Sequence, residues 1–204
     1  MRRTLFIMLV FVSSILTIVA CSCNDAGSSR EKIIAGPDST ERISRGEYLV
    51  NISGCDDCHS PKKMGPNGPE IIPELRFSGY PSTRPIAHAN MDVLKDGWIA
   101  MLGSDGTSAV GPWGMSFSAN ITSDESGIGN WSEENFIRAI RKGKFKGMEG
   151  SRDLLPPMPW FAYKNMTDED LRAVYAFLKS TKPVSNVVPA WIQVPDINKK
   201  PSHK

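Results

Sequence analysis

The sequence predicts one small, mostly α-helical domain with a short β-hairpin insertion, behind a signal segment and a tether. Three observations carry that expectation. Three stretches repeat apolar residues at helical spacing and begin on capping residues. Between them, two runs rich in apolar residues flank Gly103-Ser104-Asp105-Gly106, like a hairpin or a pair of short strands. A cysteine–histidine pentapeptide closes the first helical stretch. The boundaries read as residues 1–20 for the signal, 21–40 for the tether, 41–183 for the domain and 184–204 for a C-terminal tail.

Arg2 and Arg3 form a short positive start, and no residue from Thr4 to Ala20 is charged. This is the pattern of a secretory signal. It ends in Ile18-Val19-Ala20-Cys21. Small residues at the cut site followed by Cys resemble a bacterial lipobox, in which Cys21 is acylated and becomes the mature N-terminus. An uncleaved membrane anchor is the competing reading, since the apolar run approaches spanning length. The run stops on a Cys and not on a basic cluster, which favours the lipoprotein. Ser22 stands where an inner-membrane retention Asp would be, so the expected location is the bacterial cell envelope, on the outer membrane and facing the periplasm. Residues 22–40 are rich in Ser, Gly, Asn and Asp and read as a flexible link. Cys23 sits too close to Cys21 for an easy bridge and is read as a tether thiol.

The first helix runs from Ser39 or Thr40 to Ser53, with Ile43, Tyr48, Leu49 and Ile52 expected inward and Gly46 permitting a close helix crossing. The second starts from an N-cap at Ser132, with Glu133 and Glu134 in its first turn, and closes on Arg141, Lys142 and Gly143. Its apolar stripe is Phe136, Ile137 and Ile140. The third starts at Thr167, paired with Asp170 in the manner of a capping box. Leu171, Val174, Tyr175 and Leu178 follow the helical spacing, and the helix ends before Pro183. Residues 98–102 and 109–117 flank Gly103-Ser104-Asp105-Gly106 as a hairpin or a pair of short strands, with an irregular loop over 107–115 as the alternative. Beyond Pro183 the chain reads as a tail that Trp191 can pin to the domain.

The pentapeptide Cys55-Asp56-Asp57-Cys58-His59 carries the chemistry. C-x-x-C-H is the attachment signature of a c-type haem. Two thiols must meet two vinyl groups of one porphyrin, and residues i and i+3 of one helical turn share a side. His59 follows at once and can bind the iron. A structural zinc site would need two further ligands, and Cys21, Cys23, His88 and His203 form no second knuckle. A thioredoxin-like pair would follow a strand of a βαβ unit. A plain disulfide leaves His59 without a role. One motif implies one haem.

A low-spin electron-transfer haem takes a sulfur or a second imidazole opposite the proximal His. Met64 is too near His59, and Met91, Met101 and Met115 read as packing residues. Met166 reads as a hydrophobic staple onto Leu171. Met158 and Met148 remain. Met158 lies in Leu155-Pro156-Pro157-Met158-Pro159-Trp160, a stiff loop ahead of the last helix. Pre-organisation favours a weak thioether ligand. Met158 is therefore the expected axial partner of His59, with Met148 as the fallback. His88 is a further option for the sixth ligand but, next to Ala87 and Ala89, reads rather as a surface or propionate-side residue. Trp131 and Trp160 read as core residues or as donors to propionates.

These motifs carry a resemblance. Arg45-Gly46-Glu47-Tyr48-Leu49, Gly111-Pro112-Trp113-Gly114, Asn120-Ile121-Thr122 with Gly127-Ile128-Gly129-Asn130-Trp131, and the Pro-Met-Pro loop with Met166-Thr167-Asp168-Glu169-Asp170-Leu171 resemble a class I c-type cytochrome. More narrowly, the stretch from Arg45 to Pro183 resembles the cytochrome c domains of periplasmic dehydrogenase cytochrome subunits. The resemblance implies a small mostly α fold whose first and last helices cross beside a covalent haem c. It also implies that the Met of the Pro-Met-Pro loop, here Met158, is the distal ligand, and that a Pro carbonyl after the motif accepts from the free N–H of His59, a position that Pro66, with Pro69 as fallback, resembles; a plain turn is the other reading of Gly65-Pro66-Asn67-Gly68.

Charge excludes some functions. Without Arg2 and Arg3 the chain has 22 basic and 22 acidic residues, from 24 and 22 in the whole. No basic run is interleaved with aromatics, so nucleic acid is not an expected partner. The expected function is single-electron transfer between redox proteins, a dehydrogenase or terminal oxidase among them, with the lipid as the only membrane attachment. The chain is then not an enzyme. A peroxidase-like enzyme or gas sensor would need an open sixth iron position and acid–base groups above it. The sequence offers no distal His–Arg pair for that.

Overall fold

The computed structural model describes residues 39–197. The signal segment, Cys21, Cys23 and the tether up to residue 38 lie outside the described residues, as do residues 198–204.

Helix α1 spans Ser39–Ile52 and the short motif helix α2 spans Cys55–His59. A hairpin of β1 (Lys62–Gly65) and β2 (Gly68–Ile71) follows. Strands β3 (Met101–Leu102), β4 (Ser108–Gly111) and β5 (Gly114–Phe117) form a three-stranded antiparallel sheet in that order. Helices α3 (Glu133–Lys142), α4 (Trp160–Tyr163) and α5 (Asp168–Ser180) complete a fold in which helices outweigh two small sheets.

Helices α1 and α5 cross tightly because of Gly46. A Cβ at that position would lie 2.0 Å from the Ala173 carbonyl oxygen. Arg45 Nε donates to Asp170 Oδ1 at 3.0 Å beside the crossing. The crossing also decides the buried face of α1. Gly46, Leu49 and Val50 are buried and Ile43 packs against the core. Tyr48 and Ile52 were expected inward but are 54% and 61% exposed. At 3.6 residues per turn they stand roughly opposite Gly46, so a helix seated on its glycine turns them outward.

The caps of α3 and α5 follow the sequence. Ser132 accepts from the Asn135 N–H and Thr167 from the Asp170 N–H, each at 3.1 Å. Gly143 ends α3 in the left-handed conformation.

The sheets are richer than the single expected hairpin. The turn at residues 103–107 joins β3 to β4 as expected. A second turn at Pro112-Trp113 then splits the run 109–117 into β4 and β5, with Gly111 opposite Gly114. Pro112 lacks the N–H that a continuing ladder needs. The β1–β2 hairpin was not foreseen. It turns at Pro66-Asn67, with Gly65 opposite Gly68.

The main core gathers Leu49, Val50, Phe77, Ile128, Phe136, Ala173, Val174, Phe177 and Leu178. Phe77 and Phe177 meet edge to face with centroids 6.1 Å apart. A second cluster of Ala89, Val110, Met115 and Ile197, with Met91 and Met101 against it, sits under the three-stranded sheet. These three methionines are packing residues, as the sequence implied. Residues 184–197 stay on the domain. The Asn186 amide donates to the Ser78 and Tyr80 carbonyls at 2.7 and 2.9 Å, and Trp191 Nε1 donates to the Trp113 carbonyl at 2.7 Å. Among the described residues no helix is long and apolar enough to cross a membrane.

Candidate functional site

Cys55, Cys58 and His59 share the one-and-a-half turns of α2, reached from α1 through Gly54 in the left-handed conformation. Both thiols are free. Burial first, then the Asp56 carboxylate, pushes the Cys55 thiol up to about 11. Burial and Asp57 push Cys58 up as well. Among the described residues no cluster of three or more His, Cys, Asp or Glu side chains is arranged to hold a metal ion.

The ring of His59 is held from behind. Its Nδ1 lies 2.7 Å from the Ala119 carbonyl oxygen. A carbonyl only accepts, so Nδ1 carries the proton and Nε2 keeps its lone pair. Burial of the ring holds His59 below the usual imidazole range, against the opposing Ala119 hydrogen bond and Asp56. A neutral imidazole with a fixed tautomer is the form that ligates metals.

The acceptor is therefore Ala119, and the Pro66 expected for this role, with its fallback Pro69, is not used. Pro66 is exposed at the β1–β2 turn. The Ala119 segment is drawn beside α2 by the Gly79 N–H donating to the His59 carbonyl at 2.8 Å and the Tyr80 N–H donating to the Ser118 carbonyl at 3.0 Å. Asn120 then locks it. Its Oδ1 accepts from the Thr122 N–H and hydroxyl at 2.9 and 2.8 Å, and its Nδ2 donates to the Val184 carbonyl at 2.8 Å. Only the Asn120-Ile121-Thr122 turn pattern signalled this in the sequence, because the working atom is a main-chain oxygen.

The residues between the two cysteines are tied down too. Asp56 accepts from Arg76 Nη2 at 2.7 Å and from the Ser60 hydroxyl at 2.5 Å. Arg76 also reaches Asn51 Oδ1 at 3.0 Å, joining α1, α2 and the chain after β2.

Met158 is half-buried and sits two residues before α4, after the cis Pro156–Pro157 peptide. The Ser116 hydroxyl of β5 donates to the Pro156 carbonyl at 2.7 Å, which anchors the loop to the sheet. Helix α4 reaches the segment just before the motif helix. The Tyr163 hydroxyl donates to the Ser53 carbonyl at 2.5 Å, and burial with Cys55 and Cys58 nearby raises its pKa. The Met158 loop is thus held at both ends, on β5 and beside α2. Met148 is 51% exposed, next to the 3₁₀ turn Phe145–Gly147. Met166, read as a staple, is half-buried beside the α5 cap, and His88 is exposed. Trp131 packs against the main core, and the face of Trp160 lies on Gly143, where a Cβ would come within 2.5 Å of the ring.

No family model matches the chain. Curated relatives do. The cytochrome c subunit of the quinone alcohol dehydrogenase of Gluconobacter oxydans (strain 621H) is 31% identical over 145 residues, 70% of this chain and 22% of that protein. The fructose dehydrogenase cytochrome subunit of Gluconobacter japonicus is 31% identical over 152 residues, 72% of this chain and 24% of that protein. The gluconate 2-dehydrogenase cytochrome c subunit of Pantoea cypripedii is 30% identical over 145 residues, again 70% of this chain and 24% of the relative. The chain thus spans about a quarter or less of the length of these proteins. Taken with the C-x-x-C-H helix, the alignments mean that over most of its length this chain resembles the cytochrome c subunits of dehydrogenases.

Proposed function

We propose that the chain is a monohaem c-type cytochrome with a cytochrome c-like fold, a lipoprotein electron carrier that passes single electrons between redox partners in the periplasm. The observation that carries this reading is the pose of His59. Its Nδ1–H is committed to the Ala119 carbonyl, so Nε2 is left to ligate, on the same short helix as two free thiols. That donor set fits one haem c.

In this reading Cys55 and Cys58 would hold the haem through two thioethers, and His59 and Met158 would ligate its iron, with Met148 as the fallback for Met158. The bound haem supplies a one-electron couple. The protein's own share is rigidity. Arg76 and Ser60 fix Asp56, Ala119 fixes the imidazole plane, and the Ser116 and Tyr163 hydrogen bonds hold the Met158 loop. Ligands that stay in place in both oxidation states keep the reorganisation on electron transfer small. Cys21 carries the lipid and residues to about 40 form the link, so attachment to the membrane is by the anchor alone. The relatives named above are subunits of dehydrogenases, which supports a dehydrogenase as electron donor.

Denaturing electrophoresis with haem-peroxidase staining tests the covalent attachment. The band is expected to keep its stain, and Cys58→Ala to lose most of it. An unstained wild-type band from cells competent for cytochrome c maturation refutes the reading.

A further inference from the structure

The side chain of Lys62 does not point to solvent. Its ammonium donates to the carbonyls of Asp56, Asp57 and Ser60, each at 2.9 Å, and to the Asp105 carbonyl at 3.1 Å. The first two belong to α2 and the third follows it at once. The last carbonyls of a helix have no partner within it, and the negative end of the dipole favours a cation there. An ammonium has three N–H groups, so four oxygens share them.

The fourth oxygen comes from the β3–β4 turn, and that turn is pressed against α2. A Cβ on Gly106 would lie 2.5 Å from the Asp57 carbonyl oxygen, and Gly106 has a φ of 79°. Asp105 is itself fixed. Its carboxylate pairs with Arg84 at 2.7 Å and accepts from the Thr107 N–H and hydroxyl at 3.1 and 2.7 Å. The Lys62 ammonium is therefore the junction between the C-terminal end of the motif helix and the sheet insertion. It brings a full positive charge to within a hydrogen bond of the backbone that carries Cys58 and His59.

We infer that Lys62 is a positioning residue of the haem site: its ammonium fixes the end of the motif helix and supplies a permanent positive charge that raises the midpoint potential. The inference rests on the proposed haem reading. A fixed positive charge disfavours a further positive charge nearby, so it biases a one-electron couple toward its reduced form. Met and Gln are neutral and close to Lys in length: both remove the charge, Met also removes the donors, and Gln keeps two N–H groups.

The test is a spectroelectrochemical titration of the haem-loaded, full-length protein carrying Lys62→Met, Lys62→Gln, Lys62→Arg or Lys63→Met. Lys63 is the exposed neighbour and controls for net charge. Lys62→Met and Lys62→Gln should shift the oxidised-to-reduced ratio at fixed potential severalfold toward oxidised. Lys62→Arg should restore most of the wild-type value, and Lys63→Met should leave it unchanged. An unchanged potential in Lys62→Met, or in Lys62→Gln if Lys62→Met does not accumulate haem, overturns the inference even if melting temperature falls. So does a Lys62→Arg protein that behaves like Lys62→Met. If both neutral variants fail to load haem while Lys62→Arg loads it, the positioning role stands. A wild-type protein that holds no covalent haem defeats the haem reading itself, which the staining experiment detects separately.

Discussion

Gly46→Ala is expected to destabilise the domain although alanine is the better helix former. The new methyl would sit 2.0 Å from the Ala173 carbonyl oxygen and 2.7 Å from the Phe177 Cβ. The first neighbour is backbone and cannot rotate away, so α1 and α5 must separate until ordinary contact of about 3.4 Å is restored. Overpacking of this kind costs about 1–3 kcal/mol. Separation also weakens the contacts of Leu49 and Val50 across the same seam, for about 1–2 kcal/mol more. Alanine returns roughly 1 kcal/mol of helix propensity. The net expectation is a loss of about 1–4 kcal/mol, and for a domain of this size a fall in melting temperature of roughly 3–12 °C. Urea denaturation of the haem-loaded protein, followed by far-UV circular dichroism, reads it directly. The midpoint should fall with the slope unchanged. If Gly46→Ala instead stabilises by about 1 kcal/mol, as at an exposed helix position, the close crossing is not real.

Three further expectations concern the site and its surroundings. If Met158 is the distal ligand, Met158→Ala should abolish the weak sulfur-to-iron band of the oxidised protein, lower the potential and admit carbon monoxide, while Met148→Ala leaves all three intact. The opposite pattern would move the assignment to Met148, and rapid carbon monoxide binding by wild type would favour an enzyme or sensor. Asp105 is held below the usual carboxylate range; burial alone would raise it, but the Thr107 and Arg84 hydrogen bonds outweigh that. Its contribution is therefore present above about pH 3.9 and lost as pH falls through its lower folded value. Asp105→Asn should cost about 1–3 kcal/mol at pH 7, and a gap from wild type that persists undiminished in strong acid contradicts the assignment. Cys21→Ser should release the haem-loaded protein from the membrane fraction, and mass spectrometry of a wild-type N-terminus without acylation would refute the lipid anchor.

Local signals were legible where the cause is local. Ser132, Gly143 and Thr167 cap helices through atoms within three residues of themselves, so their positions follow from sequence order alone. Gly46 could be read as a crossing point because only a missing Cβ admits a neighbouring backbone. The outward turn of Tyr48 and Ile52 was not legible. Both are apolar at a spacing that fits a helical stripe, and only the seat of Gly46 on Ala173 decides which stripe faces the core.

The chain order by itself determined the donors of the candidate site, because two thiols and an imidazole on one helical turn need no partner from elsewhere to share a side. It also determined that helices outweigh strands, the ends of α3 and α5, and the stiffness of the Pro-flanked Met158 loop. Tertiary structure decided what surrounds those donors. The acceptor for His59 is the main-chain oxygen of Ala119, 60 residues away, and the clamp on α2 is an ammonium joined to a turn 43 residues beyond it. Carbonyl oxygens are the same in every residue, so no residue type marks the one that will be used. Which oxygen meets which donor is settled only when the sheets and helices pack, and that step is where this site acquires its orientation and its fixed charge.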